Sequence, residues 1–244
     1  MTKTLSYSLV RDGIVQLHLA STLPQTELLL VHLQQHVINI DLTILSASEL
    51  ERGNRFKSQL DRMRYLASHH ALRNAISNHT GLPPRTLEFL EGPQGKPTLI
   101  GAENFHFNLS HSEGFALIGI SRFAEIGVDI EVLHHERDIT AIADMVLTNA
   151  EQLALQHIAH PERARAFLTC WTRKEACLKA LGAGLNISPN ALEVGILGTP
   201  LILPLPTNRN GKSLHLTSTT REEGLVASIA EIIAKPLPCG IGRG

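Results

Sequence analysis

Phe115-Ala-Leu-Ile-Gly-Ile-Ser121, Arg122-Phe-Ala-Glu125 and Ile126-Gly-Val-Asp-Ile-Glu-Val132 follow one another near the middle of a 244-residue chain. The first and third runs are short and strand-like and the second joins them, so a hairpin is expected over 115–132. Upstream, Ser46 to Ser77 carries Leu50, Leu60, Met63, Leu66, Leu72 and Ile76 at roughly helical spacing. Thr80-Gly81 and then Pro83-Pro84 end that helix. A turn follows at Gly92-Pro-Gln-Gly-Lys-Pro97. Downstream of the hairpin, helical signals run over Ile139 to His157 and Glu162 to Leu181, with Gly182 and Gly184 as the stop. A second hairpin is expected from Ser213–Thr219 and Leu225–Ile233. Helix followed by hairpin thus occurs in both halves, which predicts an α+β fold of two similar lobes, 1–122 and 123–244.

Composition narrows the function classes. The chain has 22 Lys+Arg against 23 Asp+Glu and is 43% hydrophobic, which excludes intrinsic disorder and any global attraction to nucleic acid or anionic lipid. Any polyanion site must be local. Cys170, Cys177 and Cys239 form no CxxC pair and cannot all be bridged within the chain, so a reducing compartment is expected. The start of the chain lacks the apolar core of a secretory signal, and no early run is long enough to span a bilayer, so a cytoplasmic protein with no membrane partner is expected.

One local charge imbalance stands out. Between Glu49 and Arg73 there are six bases, Arg52, Arg55, Lys57, Arg62, Arg64 and Arg73, against three acids, Glu49, Glu51 and Asp61. By itself this reads as a solvated helix face.

In Ile126–Val132, strand alternation places Gly127, Asp129 and Glu131 on one face. The two carboxylates then lie roughly 7 Å apart along the strand, close enough to share a divalent cation and repelling one another without it. Gly127 would leave room for a ligand on that face. Taken alone, the pair reads more simply as a solvated acidic face. In Trp171-Thr-Arg-Lys-Glu-Ala-Cys-Leu-Lys179, residues 171, 175 and 179 share one helix stripe. The two segments together supply Asp129, Glu131 and Glu175 as oxygen ligands suited to Mg²⁺, with Lys174 and Lys179 as phosphate partners. Phe107-Asn-Leu-Ser-His-Ser112 offers Ser110 and His111 for hydrogen bonds to phosphate or hydroxyl. A Ser-His nucleophile is disfavoured, because neighbours on a strand face opposite ways and no GxSxG elbow exists. His32/His36 and His157/His160 have helix-compatible spacing but no zinc-site context. Gly211-Lys-Ser213 lacks the upstream glycine of a phosphate loop, Pro206 standing in its place.

In order, Gly95-Lys96-Pro97, Phe107–Ser112, Gly127-Val-Asp129-Ile-Glu131 and Trp171–Lys179 resemble the motifs of the Sfp-type 4′-phosphopantetheinyl transferases. The resemblance covers about residues 46 to 187. It implies a monomer of two pseudo-twofold-related α+β lobes with coenzyme A and Mg²⁺ in the cleft between them. The implied reaction moves the phosphopantetheine arm of coenzyme A to a serine of an apo acyl or peptidyl carrier protein and releases adenosine 3′,5′-bisphosphate. By the same resemblance Asp129, Glu131 and Glu175 are the metal-site acids. Arg52, Arg64, Lys96, Ser110, His111, Lys174 and Lys179 correspond to coenzyme A contacts. A basic position common three residues before Arg52 is Glu49 here. The base that takes the serine proton is Glu175 or Glu131, directly or through water, with Glu151 as a further acidic position, and Lys179 assists catalysis. Two other readings use the same residues: a Mg²⁺-dependent phosphodiesterase or nucleotide hydrolase, and a non-catalytic module that binds coenzyme A or a carrier.

Overall fold

The computed structural model describes residues 6–11, 13–18, 26–134, 139–182, 186–205, 212–221 and 224–234. Gly184, Gly211 and Cys239 therefore lie outside the described residues.

The first half contains β1 (Ser6–Arg11), β2 (Ile14–His18), β3 (Thr26–His32), the single turn α1 (Leu33–His36), α2 (Ala47–Asn54) and α3 (Gln59–Thr80). The short pair β4 (Phe89–Glu91) and β5 (Pro97–Leu99) follows, then β6 (His106–Ser112) and β7 (Phe115–Ser121). The second half contains β8 (Glu125–Val132), α4 (Thr140–Val146), α5 (Asn149–Gln156), α6 (His160–Leu181), β9 (Leu201–Pro204), β10 (Lys212–Thr220) and β11 (Leu225–Ala234).

Besides the β4-β5 pair, the described strands form two larger antiparallel sheets, ordered β1-β2-β3-β7-β6 and β8-β11-β10-β9. Each half follows one plan: a strand, a 22-residue helix, then a hairpin whose second strand docks beside the first strand. In the first half this gives β3-β7-β6 around α3, and in the second β8-β11-β10 around α6. The fold is α+β with two such units, as the helix-then-hairpin pattern predicts.

The hairpin expected over 115–132 does not form. β7 pairs with β3 and β6, whereas β8 pairs with β11, so the two runs belong to different sheets. Both are buried on both faces, so their alternation carries no mark of which strand each should pair with. Ser121 Oγ accepts from the amides of Phe123 and Ala124, both at 3.3 Å, and turns the chain from one sheet into the other. The hairpin of β10 and β11 forms in the expected place.

The helix expected from Ser46 to Ser77 is two helices. Ser46 and Glu49 close a capping box on α2, which ends at Asn54, and Ser58 caps α3 afresh by accepting from the Asp61 amide. α2 folds back on α3 through the buried pair Arg73–Glu49 at 2.8 Å. Arg73 also donates to the carbonyls of Pro84 and Leu87. Gly81 and Gly182, at φ +75° and +60°, terminate α3 and α6 in the left-handed conformation.

Three main apolar clusters hold the molecule. One lies between α3 and β6–β7 and another between α6 and β8, β10 and β11. The third joins the two sheets, with Leu28, Leu30 and Leu117 against Val128, Ile130, Leu225 and Ile229. Each such side chain contributes about 1.5–3 kcal/mol by leaving water, so this shared core fixes how the halves meet. Among the described residues, no helix is long and apolar enough to cross a membrane.

Candidate active site between the sheets

β8 carries its acids toward α6. Gly127, Asp129 and Glu131 share the face covered by that helix, while Val128 and Ile130 point into the core between the sheets. Gly127 leaves no room for a ligand, contrary to the sequence expectation. A Cβ there would stand 2.1 Å from the Ala176 carbonyl oxygen and 2.3 Å from the Ala180 amide nitrogen. The missing side chain lets the α6 backbone rest directly on β8, which brings Glu175 and Lys179 over the acids.

The result is a hollow of about 280 Å³ lined by Leu109, Ser110, His111, Asp129, Glu131, Trp171, Glu175 and Lys179. The stripe 171, 175, 179 faces it as one wall, the acidic strand is another, and β6 supplies the third. A larger hollow of about 490 Å³ beside α1 and α3 is lined mainly by apolar groups, with Arg64 its one charged wall residue.

Asp129 is 5% exposed. Its Oδ1 accepts from Lys179 Nζ at 2.6 Å and from Ser110 Oγ at 2.7 Å, and its buried Oδ2 has no hydrogen-bond partner among the described residues. Burial pushes its pKa up to about 6, against the pull of Lys179 and Ser110 and with a further push from Glu131. Lys179 spends its three donors on Asp129, on Ser110 Oγ at 3.1 Å and on the Val128 carbonyl at 3.2 Å. Glu131 Oε2 accepts from Ser112 Oγ at 2.9 Å. Glu175 is half-buried and makes no hydrogen bond among the described residues.

The donors suit a hard cation: three carboxylates on one hollow, one of them buried with an oxygen left unsatisfied. They do not converge on a point. Among the described residues no three acidic, histidine or cysteine side chains stand close enough together to hold a metal as they are, and Lys179 holds the place beside Asp129.

Beside the acids is His111, with several cations near it. The His111 pKa is lowered, first by the desolvation of its ring and then by Lys179, Arg52 and Arg64. Arg52 lies over the Tyr65 ring at 5.8 Å, and Arg64 reaches Asp61 at 3.5 Å while its buried Nε has no hydrogen-bond partner among the described residues. Glu49, the acid at an otherwise basic position, is committed to Arg73 and capping.

Three expected site residues fall elsewhere. Lys96 Nζ donates to the carbonyls of Ile126 at 3.0 Å and Ala180 at 2.9 Å, tying β8 to the last turn of α6, and it does not line the hollow. Lys174 is fully buried. Its Nζ meets Glu151 Oε2 at 2.7 Å and donates to the carbonyls of Pro189 and Leu192. One residue is about 100° around a helix, so with Glu175 facing the hollow Lys174 turns into the core. Glu151 caps α5 and also accepts from the Val194 and Gly195 amides. Burial raises its pKa, but Lys174 and the amide hydrogen bonds outweigh that and leave it below the ordinary range. Saturated and 2% exposed, it is in no position to take a substrate proton.

Cys170 and Cys177 are buried, and burial raises both thiols well out of the range of a nucleophile. His36 bonds His70 at 2.9 Å inside the first half, a packing role. Asn108 and Ser112 join the site beyond the expected residues, and their signal in the sequence is the polar alternation 108, 110 and 112, which marks one strand face directed at something polar.

Residues 125–229 match the family model described as the 4′-phosphopantetheinyl transferase superfamily, and residues 33–122 match the N-terminal model of 4′-phosphopantetheinyl transferase. The slr0495 protein of Synechocystis sp., a candidate 4′-phosphopantetheinyl transferase by name, is 34% identical over 166 residues, 67% of this chain and 68% of the relative. The 4′-phosphopantetheinyl transferase HetI of Nostoc sp. is 33% identical over 144 residues, 58% of this chain and 61% of HetI. The 4′-phosphopantetheinyl transferase AcpT of Escherichia coli is 32% identical over 143 residues, 58% of this chain and 70% of AcpT.

Proposed function

The chain belongs to the 4′-phosphopantetheinyl transferase superfamily, and from that premise we propose that it moves the phosphopantetheine arm of coenzyme A to a serine of an apo acyl or peptidyl carrier protein. The observation that supports this reading is the hollow that brings Asp129, Glu131 and Glu175 together with His111 and Lys179, with Arg52 and Arg64 near enough to His111 to lower its pKa. Acids beside bases across one cleft suit a diphosphate bound through a divalent cation on one side and direct cationic contacts on the other.

In this reading Asp129, Glu131 and Glu175 hold Mg²⁺, which when bound offsets charge on the diphosphate and on the leaving adenosine 3′,5′-bisphosphate. Arg52, Arg64 and His111 bind phosphate oxygens, and His111 gains charge as an anion approaches. Lys179, which donates to Asp129 Oδ1 here, would be the amine nearest a phosphate in the hollow, and Ser110 would keep its hydrogen bond to the carboxylate. Glu175, the hollow's acid without a protein partner among the described residues, takes the proton from the carrier serine as its Oγ attacks phosphorus. The bond from that phosphorus to the adenosine bisphosphate oxygen then breaks. Lys96 acts through the seam of β8 and α6. We also propose that 1–122 and 123–244 are the functional lobes, and that the protein acts as a cytoplasmic monomer.

The test is release of adenosine 3′,5′-bisphosphate from coenzyme A and Mg²⁺, with and without apo carrier. Release that needs the carrier and matches its gain in mass supports transfer. Equal release without carrier would make the protein a hydrolase, and binding of coenzyme A without any release would make it a binding module.

A further inference from the structure

β8 is an outermost strand, with one edge on β11 and the other toward β6, which is itself the outermost strand of the other sheet. The two belong to different sheets, so the edge amides and carbonyls of β8 need other partners, since buried backbone groups are costly to leave unpaired. Side chains supply them. Asn108 Oδ1 accepts from the Val128 amide at 2.8 Å, and Ser112 Oγ accepts from the Val132 amide at 3.3 Å. Lys96 and Lys179 donate to the carbonyls of Ile126 and Val128.

Asn108, Ser110 and Ser112 alternate along β6 and therefore project to one side. The same row reaches the acids, Ser110 to Asp129 at 2.7 Å and Ser112 to Glu131 at 2.9 Å. Ser112 differs from Ser110 in not lining the hollow. Its hydroxyl proton goes to Glu131 Oε2 and its lone pair takes the Val132 amide, so one oxygen atom ties the Glu131 carboxylate to the backbone of the next residue. The other carboxylate oxygen has no protein partner among the described residues.

We propose that Ser112 is the positioning residue of Glu131, holding one carboxylate oxygen so that the other is presented to a divalent cation in the hollow. This rests on the reading of Glu131 as a metal-holding acid. A second partner that fixes a ligating carboxylate lowers the ordering that binding would otherwise require.

The test titrates Mn²⁺ into the intact protein without coenzyme A and follows free Mn²⁺ by electron paramagnetic resonance, with a thermal melt of each variant. Ser112→Ala should weaken Mn²⁺ binding by about tenfold. Ser112→Thr, which keeps the hydroxyl, should restore it, and adding Ser112→Ala to Glu131→Gln should cause no further loss. If Ser112→Ala fails to fold, Ser112→Cys keeps the volume with a much weaker donor and should weaken binding in the same sense. Wild-type affinity in the folded Ser112 variants while Glu131→Gln binds weakly would overturn the proposal alone. So would an equal loss from Ser112→Ala in the Glu131→Gln background, or no rescue by threonine. Wild-type affinity in Glu131→Gln would instead remove Glu131 from the metal site, and the proposal with it.

Discussion

Replacing Gly127 by alanine adds one methyl group at the tightest contact between β8 and α6. The new carbon would stand 2.1 Å from Ala176 O, 2.3 Å from Ala180 N and 2.9 Å from the Lys179 carbonyl carbon. Non-bonded carbon atoms settle at about 3.5–4.0 Å, so the helix must retreat by on the order of 1 Å. All three atoms are backbone, and no rotamer change relieves the clash. Overpacking of this kind costs about 1–3 kcal/mol, and rigid neighbours place it at the upper end. For a chain of this length each kcal/mol lowers Tm by about 2–4 °C, giving an expected drop of roughly 6–12 °C. The same retreat carries Glu175 and Lys179 away from Asp129, and misplacement by about 1 Å lowers transfer by on the order of 100-fold. Thermal unfolding followed by circular dichroism, with transfer rates taken on protein kept well below its Tm, reads both effects. A Gly127→Ala protein that melts with the wild type and transfers at the wild-type rate would refute the close-approach account of this glycine.

Lys174→Met should destabilise the fold by about 3–5 kcal/mol in denaturant titration, because it strands a buried Glu151 carboxylate. Pairing it with Glu151→Leu should recover part of that loss, whereas a phosphate-contact role for Lys174 predicts a stable protein with a raised KM for coenzyme A. The Glu151 pKa lies below its unfolded value, so its contribution is complete above the unfolded carboxyl pKa and is lost as pH falls through the folded one. The wild type should therefore lose more stability on acidification than the Lys174→Met, Glu151→Leu double variant. Asp129→Asn should leave the metal-free Tm unchanged or raised while transfer disappears, since a buried carboxylate with an unsatisfied oxygen is held at a cost to the fold; a large fall in Tm would contradict that.

The C-terminal ends of α3 and α6, the hairpin of β10 and β11 and the acid face of β8 are legible in the sequence, because each follows from local periodicity or a terminating residue, whereas the break between α2 and α3 is not. The partner of β7 is not, because a strand apolar on both faces fits several neighbours and only tertiary packing chooses among them. The wall of Trp171, Glu175 and Lys179 is readable from their spacing of four. Lys174 misleads, since a neighbour of Glu175 in sequence stands about 100° away around the helix, far enough here to turn from the hollow into the core. Gly127 misleads for a related reason: a glycine marks a close approach without saying whether ligand or backbone approaches. The charge balance of 22 bases and 23 acids conceals the gathering of bases near His111 beside an acidic wall.

The central claim is that Asp129 and its neighbouring acids support transfer to a carrier serine. Its most direct test is the mass of an apo acyl or peptidyl carrier after incubation with coenzyme A, Mg²⁺ and either wild-type or Asp129→Asn protein. The carrier should gain one phosphopantetheine with the wild type, and none with Asp129→Asn or after chelation of the metal. No gain on any carrier with the wild type, or equal gain with Asp129→Asn, would contradict it.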